Sequence, residues 1–311
     1  MLYAFSYGQP SLDSKTKETY FLNRIKNQES WDYKYSGSKP AKRGNRTSLK
    51  TFTTSGEVSQ VITYNASGQV LHIEKYKYDR NGNRTEYTRM SGESSNKPAY
   101  QKLSVYNEHG KISEESGFDG VENFKNLYTY NDYGDLAEIR YFSNNILKEK
   151  RIFHKKGNET SVMIYNSSGN LSSKLILRYD DHDNLVEESV YGVNQDELEK
   201  KLYNYDDNQN LKEEAKYRMD RIILTTTYNY NPSGDLLEIH ERIPGSDTFL
   251  KRSFDYDSKG NLVEIKWRRN SNEAFNTMIY TYDGKGICTT VDTYYPDTKY
   301  RVLTRYTYAY Y

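Results

Sequence analysis

One short motif recurs along this chain and constrains its fold more than any other feature. The motif is Tyr-x-Tyr-(Asn/Asp)-x-x-Gly-x-Leu, and copies or close variants read YKYDRNGNR from Tyr76, YTYNDYGDL from Tyr128, YNYNPSGDL from Tyr228, FDYDSKGNL from Phe254 and YTYDGKGIC from Tyr280. The basic step is about 26 residues, and in two places it is divided into about 12 and about 14. A fixed period indicates an array of one small structural unit rather than a domain built around one unique active site.

Each copy of the motif predicts a β-hairpin. The alternating tyrosines place both rings on one face of a strand, and the Asn or Asp opens a turn by bonding the backbone two residues later. The glycine then supplies a positive φ, as in a type I turn followed by a left-handed residue. This expectation is sharpest at Gly82, Gly134, Gly234 and Gly260. Asp183 and Gln209 replace the glycine in two copies, and Gln209 is expected to turn differently.

Composition favours a sheet without a thick aliphatic core. Hydrophobic residues make up 35% of the chain, yet 33 residues are tyrosine, which favours strands. We therefore expect an all-β protein in which residues 50–311 form a long antiparallel sheet of successive hairpins, twisted or spiralling. Tyrosines at one motif position should stack into a ladder across the hairpins and are candidate binding residues: Tyr130, Tyr205, Tyr230, Tyr256 and Tyr282.

The amino-terminal region departs from the repeat. Residues 1–8 are interpreted as the remnant of a secretory signal peptide cleaved before Gln9, with a short first strand or a disordered tail as the alternatives. Residues 9–49 are expected to form a cap segment that is helical in one interpretation, over Leu12–Glu29, and covers an exposed sheet edge. The side chains of its helical face would be Tyr20, Phe21, Arg24 and Ile25. These features predict a secreted or cell-envelope protein.

The remaining composition argues against several functional classes. A net charge of +1 without a basic stripe favours no nucleic-acid partner, and no apolar stretch is long enough for a transmembrane helix. Cys288 is the one cysteine, which rules out an internal disulfide, and it is interpreted as a strand residue. Oxygen-rich turns such as Asp79-x-Asn81-x-Asn83 and Asp206-x-Asn208-x-Asn210 resemble parts of calcium loops, but turn chemistry explains them. No catalytic, metal or cofactor site is predicted, and the protein is expected not to be an enzyme.

A glutamate recurs two residues after the hydrophobic position of the motif. By strand parity these glutamates should lie on the same face as the tyrosines and accept bonds from tyrosine hydroxyls or face Lys and Arg on the next strand. A row of carboxylates that binds cations or sugars is the alternative. The residues concerned are Glu114, Glu138, Glu187, Glu213, Glu238 and Glu264.

The segments YKYDRNGNRTEY, YNYNPSGDLLEI and FDYDSKGNLVEI resemble the YD repeat, also called the RHS repeat. The likeness covers about residues 50–311 and is closest to short arrays in secreted and cell-envelope proteins of Bacteroidetes-type bacteria. It implies a long spiralling sheet of hairpins, which in large family members encloses a toxin. This chain is expected to be too short for a closed shell and ends in the repeat pattern, so a fragment of a toxin-delivery shell is the less favoured alternative.

The sequence thus predicts a non-catalytic surface that binds or scaffolds another macromolecule, either a protein or a cell-surface polysaccharide. A carbohydrate-binding module with tyrosines and Trp267 as stacking platforms is the alternative. The loops opposite the motif turns vary in composition and are a reasonable place for a partner. The last strand, with Tyr306, Tyr308 and Tyr310, should be a sheet edge unless the sheet closes, and is a candidate site of docking or self-association.

Overall fold

The computed structural model of the protein describes residues 12–92 and 97–311. The expected signal-peptide remnant and its cleavage before Gln9 lie outside these residues. One helix, α1 (Leu12–Leu22), and 23 strands make up the described part of the chain. The strands are β1 (Ile25–Ser36), β2 (Lys39–Pro40), β3 (Asn45–Phe52), β4 (Val58–Tyr64), β5 (Val70–Tyr78), β6 (Arg84–Ser91), β7 (Tyr100–Tyr106), β8 (Ile112–Phe118), β9 (Asn123–Tyr130), β10 (Leu136–Ser143), β11 (Ile146–Lys156), β12 (Glu159–Asn166), β13 (Leu171–Tyr179), β14 (Leu185–Tyr191), β15 (Glu197–Tyr205), β16 (Leu211–Arg218), β17 (Arg221–Tyr230), β18 (Leu236–Arg242), β19 (Phe249–Tyr256), β20 (Leu262–Trp267), β21 (Asn276–Tyr282), β22 (Cys288–Tyr295) and β23 (Tyr300–Tyr310).

The sheet closes on itself. Every strand from β3 to β22 pairs antiparallel with the strand that follows it, and β1 pairs antiparallel with both β3 and β23. Of the 23 strands, β2 pairs with β1 alone in the described residues, so 22 strands form a closed barrel. The all-β antiparallel prediction is confirmed, but the prediction of a twisted or spiralling sheet is wrong, because the sheet forms a closed barrel. Twist accumulates from strand to strand until the two ends of the sheet meet, and β1 pairs with both of them.

The motif turns have the predicted conformation. Gly82, Gly134, Gly234 and Gly260 have φ of 82°, 79°, 85° and 70°. At Asn131 the side-chain Oδ1 accepts hydrogen bonds from the backbone N–H groups two and four residues later, at 3.0 and 2.8 Å. These bonds are the turn chemistry that the sequence predicts.

Gln209 is a correction to the sequence prediction. Its φ is 64°, close to the 61° of Asp183, and its N–H bonds the carbonyl of Asp206 at 3.0 Å. Gln209 therefore turns as the glycines do. The side chain of Asp206 bonds two backbone N–H groups and holds the turn with glutamine in the left-handed position.

The connections divide between two edges of the barrel. The motif turns that follow β5 and β9 lie at one edge, which we call the motif-turn edge. The variable loops that begin near Ser91, Phe142, Arg242, Arg268 and Tyr294 all lie at the other, the variable-loop edge. The turns at Gly68 and Gly169 also lie at the variable-loop edge. Each follows the preceding motif turn by about 12 residues, which is enough for one strand and one turn, so the chain crosses the barrel once. A step of about 26 residues holds two strands and returns the chain to the same edge.

A register shift follows the motif turns and decides which face each side chain occupies. We call the face that carries Tyr128 and Tyr130 the tyrosine face. Leu136 pairs with Tyr130, but Glu138 pairs with Thr129, which lies on the opposite face. One extra residue has entered the return strand, and a shift of one residue moves the following side chains to the other face.

This shift overturns the predicted position of the glutamate row. The registers place all six on the face opposite the tyrosines: Glu114, Glu138, Glu187, Glu213, Glu238 and Glu264. Lys125 contacts Glu114 at 2.9 Å and Lys266 contacts Glu264 at 2.6 Å. Partners of the predicted type are present there, but the tyrosine hydroxyls are on the other side of the sheet.

Helix α1 packs on the tyrosine face near the motif-turn edge. Tyr20 lies edge-on to Phe52 with ring centroids 4.8 Å apart, and it forms a buried cluster with Ile25, Phe52 and Ile287. The predicted helix is confirmed over Leu12–Leu22 but ends earlier than expected, because Ile25 already belongs to β1. It covers a face of a closed sheet rather than an open edge. Within the described ranges no helix has both the length and the apolar character that crossing a membrane requires.

Candidate functional site

The predicted tyrosine ladder is held together by hydrogen bonds. Each of its hydroxyls donates to a backbone carbonyl near the start of an earlier return strand. The bonds run from Tyr130 to Ile112 at 2.8 Å, Tyr205 to Leu185 at 2.8 Å, Tyr230 to Leu211 at 2.9 Å, Tyr256 to Leu236 at 3.0 Å and Tyr282 to Leu262 at 2.8 Å. Each ring thus links one hairpin to the hairpin before it.

These bonds satisfy carbonyls at the register shifts. Leu236 begins β18, but the pairing of β18 with β19 begins only at Glu238. The hydroxyl of Tyr256 takes the place of a ladder bond at the Leu236 carbonyl, which would be costly to leave unpaired in a partly buried position. Burial raises the pKa of Tyr130, Tyr230 and Tyr256. The ladder residues therefore have a clear structural role in addition to the binding role that the sequence suggests.

The first tyrosine of the motif bonds a different carboxylate from the one predicted. The Tyr128 hydroxyl donates to Glu115 at 2.7 Å, and Lys102 donates to the same carboxylate at 2.6 Å. Glu115 is only 5% exposed. Burial alone would raise the pKa of Glu115, but the bonds from Lys102 and Tyr128 outweigh burial and lower it.

The arrangement at Glu115 recurs in other hairpins. The Tyr203 hydroxyl bonds Glu188 at 3.2 Å and the Tyr228 hydroxyl bonds Glu214 at 3.4 Å. Sequence reasoning missed these glutamates because each follows, by one position, the residue of the regular row. A repeated environment is typical of a structural bond rather than of catalysis, which needs differently tuned groups.

The remaining predicted residues lie in two separate places. Trp267 meets Tyr295 edge-on with ring centroids 5.9 Å apart, and Tyr295 contacts Tyr300 at 6.1 Å, all near the variable-loop edge. Tyr306, Tyr308 and Tyr310 alternate along β23 on the tyrosine face at the other end of the barrel. The structure therefore does not bring all of the predicted residues into one site.

The last strand is not a sheet edge. β23 pairs with β22 on one side and with β1 on the other. Tyr308 accepts a bond from Gln28 of β1 at 2.9 Å and donates to the carbonyl of Cys288 at 2.6 Å. The free edge expected at Tyr306, Tyr308 and Tyr310 unless the sheet closes is therefore absent from the described structure, because the sheet closes and β1 occupies that edge.

Cys288 lies in β22 next to Tyr308, as its interpretation as a strand residue requires. Burial raises the pKa of the Cys288 thiol to about 11. The described part of the chain contains no group of three or more His, Cys, Asp or Glu side chains arranged to hold a metal ion. In the turn at Asp79 one side-chain oxygen accepts from the N–H groups of Asn81 and Asn83, both at 2.9 Å.

An aromatic stripe that the sequence did not single out crosses the tyrosine face from β5 to β9. The ring centroids are 5.1 Å apart for Tyr76 and Tyr87, 5.5 Å for Tyr87 and Tyr100, and 6.3 Å for Tyr100 and Phe124. Gly117 of β8 pairs with Lys102 and Phe124, and a Cβ at this position would collide with the backbone carbonyl of Gln101 in β7. The signal in the sequence is a glycine inside a strand, which often marks a close approach.

Exposed apolar side chains concentrate at the variable-loop edge. Val121, at the tip of the β8–β9 turn, is 88% exposed, and Met219 in the β16–β17 turn is 70% exposed. Ile146, Val193 and Ile243 on other connections of this edge are exposed as well. A shallow groove of about 290 Å³ opens there, lined by Ile222, Thr225, Arg242, Pro244, Gly245 and Ser246. We call this set of connections the apolar rim.

The chain matches no protein-family model and no curated protein. Among solved structures it is similar to TcdB2-TccC3-TEV, with 12% identity and a TM-score of 0.30 over 85% of this chain and 20% of that one. It is also similar to a porin-like protein from Bacteroides uniformis, with 12% identity and a TM-score of 0.32 over 92% of this chain and 98% of the other. A porin-like protein from Bacteroides vulgatus gives 12% identity and a TM-score of 0.26 over 90% and 97%.

The chain spans only a fifth of the length of the TcdB2-TccC3-TEV chain. The closed barrel follows from the strand pairing of this chain itself.

Proposed function

We propose that this protein is a non-catalytic, secreted or cell-envelope binding protein that docks another protein on its apolar rim. The closed barrel supplies a rigid frame, and the connections of one edge supply the contact surface. Three features support this proposal: the repeated motif, the hydrogen-bonded tyrosine ladder that stabilises the frame, and the exposed apolar side chains on several connections of the variable-loop edge.

The distribution of exposed apolar residues carries the proposal. Val121, Met219 and Ile243 occupy three different connections of the variable-loop edge. The motif turns are instead built from Asn, Asp, Gly and charged residues, with Tyr133 as an exposed exception. Exposed apolar side chains that recur along one edge are typical of a protein interface, whereas scattered single ones need no explanation.

Carbohydrate binding is the second candidate, and the aromatic stripe favours it. Tyr76, Tyr87 and Tyr100 form a row of contacting rings beside Glu74, which accepts a bond from Tyr87 at 2.6 Å. Ring faces and adjacent hydrogen-bonding groups are what a sugar requires. The rings are tilted by 34° and 50° to one another and are half-buried, however, so they form a less regular platform than coplanar exposed rings would.

The closed sheet argues against a fragment of a larger toxin-delivery shell, because β1 already pairs with both ends of the array. We also propose that the protein is not an enzyme, because its Tyr–Glu pairs repeat one environment. A bound ligand should accordingly be recovered chemically unchanged, as judged by mass spectrometry. Detection of a converted product would contradict this part of the proposal.

The test of rim docking compares capture by the full chain and by a rim variant. Val121→Ser, Met219→Ser and Ile243→Ser are combined, and each protein is immobilised and exposed to secreted and envelope proteins of its source. We expect the wild type to capture a defined protein whose cross-links map to the variable-loop edge, and the rim variant to lose at least about tenfold in affinity.

Tyr133→Ser is the matched control, because Tyr133 is 92% exposed at the opposite edge. This variant should bind as the wild type does. Equal capture by the rim variant would refute rim docking. Binding of a glycan by the wild type that is lost in Tyr100→Ala, with the rim variant unaffected, would establish the second candidate instead.

A further inference from the structure

We propose that the face of the sheet opposite the tyrosine face carries a binding site for an extended acidic peptide segment, at the place where β22, β23, β1 and β3 lie side by side. The site does not use the apolar side chains of the rim and stands apart from the proposed rim docking. Its central group is the guanidinium of Arg305, and the β1–β3 connection supplies further positive charge beside it.

Arg305 is an exposed cation that has no carboxylate partner among the described residues. It lies on β23 directly opposite Trp31 of β1, and the central carbon of its guanidinium is 4.7 Å from the ring centroid of Tyr33. A Cβ at Gly44 would lie 2.7 Å from the same ring, so the β1–β3 connection packs directly against Tyr33 as well. The ring thus holds the guanidinium in place by stacking, which leaves its N–H groups free for a ligand.

The two other arginines in this part of the face are already paired. Arg301 lies over the ring of Tyr35 at 4.4 Å and donates two hydrogen bonds to Asp292, both of 2.9 Å. Arg46 donates to Glu29 at 2.5 Å. Of these three guanidinium groups, the one over Tyr33 is therefore the group whose charge the described side chains leave uncompensated.

The β1–β3 connection adds positive charge at the same place. It reads GSKPAKRG, contains no acidic residue and presents three exposed cations, none with a carboxylate partner in the described part of the chain: Lys39, Lys42 and Arg43. Arg43 directly precedes the glycine that packs against Tyr33. In the adjacent β22–β23 turn the exposed Asp297 and Lys299 offset each other, so the patch as a whole stays positive.

A carboxylate is the group that fits Arg305, because a planar guanidinium binds a carboxylate through two parallel N–H bonds. The surroundings favour a peptide over a uniformly charged polymer. Asp292 and Glu29 lie on the same face and would repel closely spaced phosphates, whereas the backbone N–H groups of a peptide can donate to them.

The spacing of the site also matches a peptide. The two stacked guanidinium groups lie over rings two positions apart on β1, which is about 7 Å along the strand and equals the spacing of alternate side chains in an extended peptide. A hollow of about 220 Å³ opens beside Arg301 and offers room for an apolar side chain, and its lining residues are Thr277, Ile279, Asp292, Tyr294 and Arg301. The ligand is therefore a segment with an acidic residue and an apolar residue two positions apart.

The experiment measures the fluorescence anisotropy of a labelled peptide that repeats Glu-Ser-Leu-Ser as the full chain is added at low and raised salt. We expect saturable binding that weakens with salt, and the same peptide with Gln in place of Glu should bind at least about tenfold more weakly. Arg305→Gln should lose about tenfold in affinity, and Arg305→Lys should recover part of the loss. Lys42→Gln combined with Arg43→Gln should weaken binding and reduce its dependence on salt.

Arg252→Gln is the matched control. Arg252 is also exposed and also lies over an aromatic ring, 6.0 Å from the centroid of Phe254, but on the tyrosine face. This variant should bind as the wild type does, and circular dichroism should show every variant folded. Equal binding of the Glu and Gln peptides, or an Arg305→Gln variant that binds as the wild type does, would overturn the proposal. Tighter Arg305-dependent binding of polygalacturonate or of a single-stranded oligonucleotide would overturn the assignment to a peptide.

Discussion

The hydrogen bond from Tyr230 to the Leu211 carbonyl should contribute measurably to the stability of the barrel. The bond is 2.9 Å long and partly buried, and it serves a carbonyl at a register shift. Tyr230→Phe removes the hydroxyl, keeps the ring and leaves the carbonyl without its partner. We therefore expect the free energy of unfolding to fall by about 1–2 kcal/mol.

Tyr230→Ala removes the ring as well. That ring packs against the buried cluster of Leu236, Phe254 and Leu262, so the total loss should reach about 3–5 kcal/mol. The difference between the two variants separates the contribution of the hydrogen bond from that of packing.

The assay is equilibrium unfolding in guanidinium chloride, followed by circular dichroism and tyrosine fluorescence. The shift of the midpoint at constant slope gives the change in free energy. Tyr133→Phe, at an exposed turn, is the control and should change stability by less than about 0.5 kcal/mol. If Tyr230→Phe equals the control and Tyr230→Ala loses less than about 1 kcal/mol, the ladder does not stabilise the barrel, and the carbohydrate-binding alternative gains support.

Three further outcomes follow from the structure. Cys288 should react with a maleimide about 100-fold more slowly than an ordinary thiol at neutral pH, because its pKa is raised to about 11, and unfolding should abolish the protection. Burial alone would raise the pKa of Glu57, but its hydrogen bonds, of which the one from Lys17 is the strongest, lower that pKa to about 2. A carboxylate whose pKa is lower in the folded than in the unfolded state stabilises the fold at pH values above the unfolded pKa, so this contribution should be present at neutral pH and vanish as the pH falls from about 4.5 to 2. Glu57→Gln should remove that dependence in an acid titration of stability. Gly234→Ala should destabilise the protein by about 1–2 kcal/mol because φ is 85° there, whereas Gln209→Gly should be neutral or stabilising in the same assay.

The hairpins could be predicted because their determinants are local. An Asn or Asp side chain, a left-handed residue and alternating tyrosines all act within one copy, so the turns at Gly82 and Gly134 follow from about ten residues each. The face of the sheet on which the glutamate row lies could not be predicted in the same way. The extra residue in the return strand depends on backbone register, and one residue inverts the parity from which Glu138 was placed.

Closure was not predictable from the motif either. It depends on β1, whose sequence IKNQESWDYKYS lacks the turn motif and belongs to the segment for which the sequence predicts a cap. β1 is held by bonds that no local pattern indicates: the Thr304 hydroxyl donates to Asp32 at 2.7 Å and the Tyr35 hydroxyl donates to Asp292 at 2.6 Å. The aromatic stripe was missed for the same reason, because Tyr100 and Phe124 meet only across the intervening strand β8.

The pairing of β1 with β23 also sets the order in which the molecule is completed during folding. Gln28 and Tyr308, which bond across this pair, are 280 positions apart, and joining them in an unfolded chain would cost about 5 kcal/mol of chain entropy, so the strands between them have to pair first. β3 can pair with β1, and each strand from β4 onward with its predecessor, as the chain leaves the ribosome, but β1 keeps one unpaired edge until β23 has been made. Non-local pairing of this kind is slow, and open strand edges recruit other chains. The risk of aggregation is therefore greatest just before β1 and β23 pair, although this pairing then covers both of these strand edges.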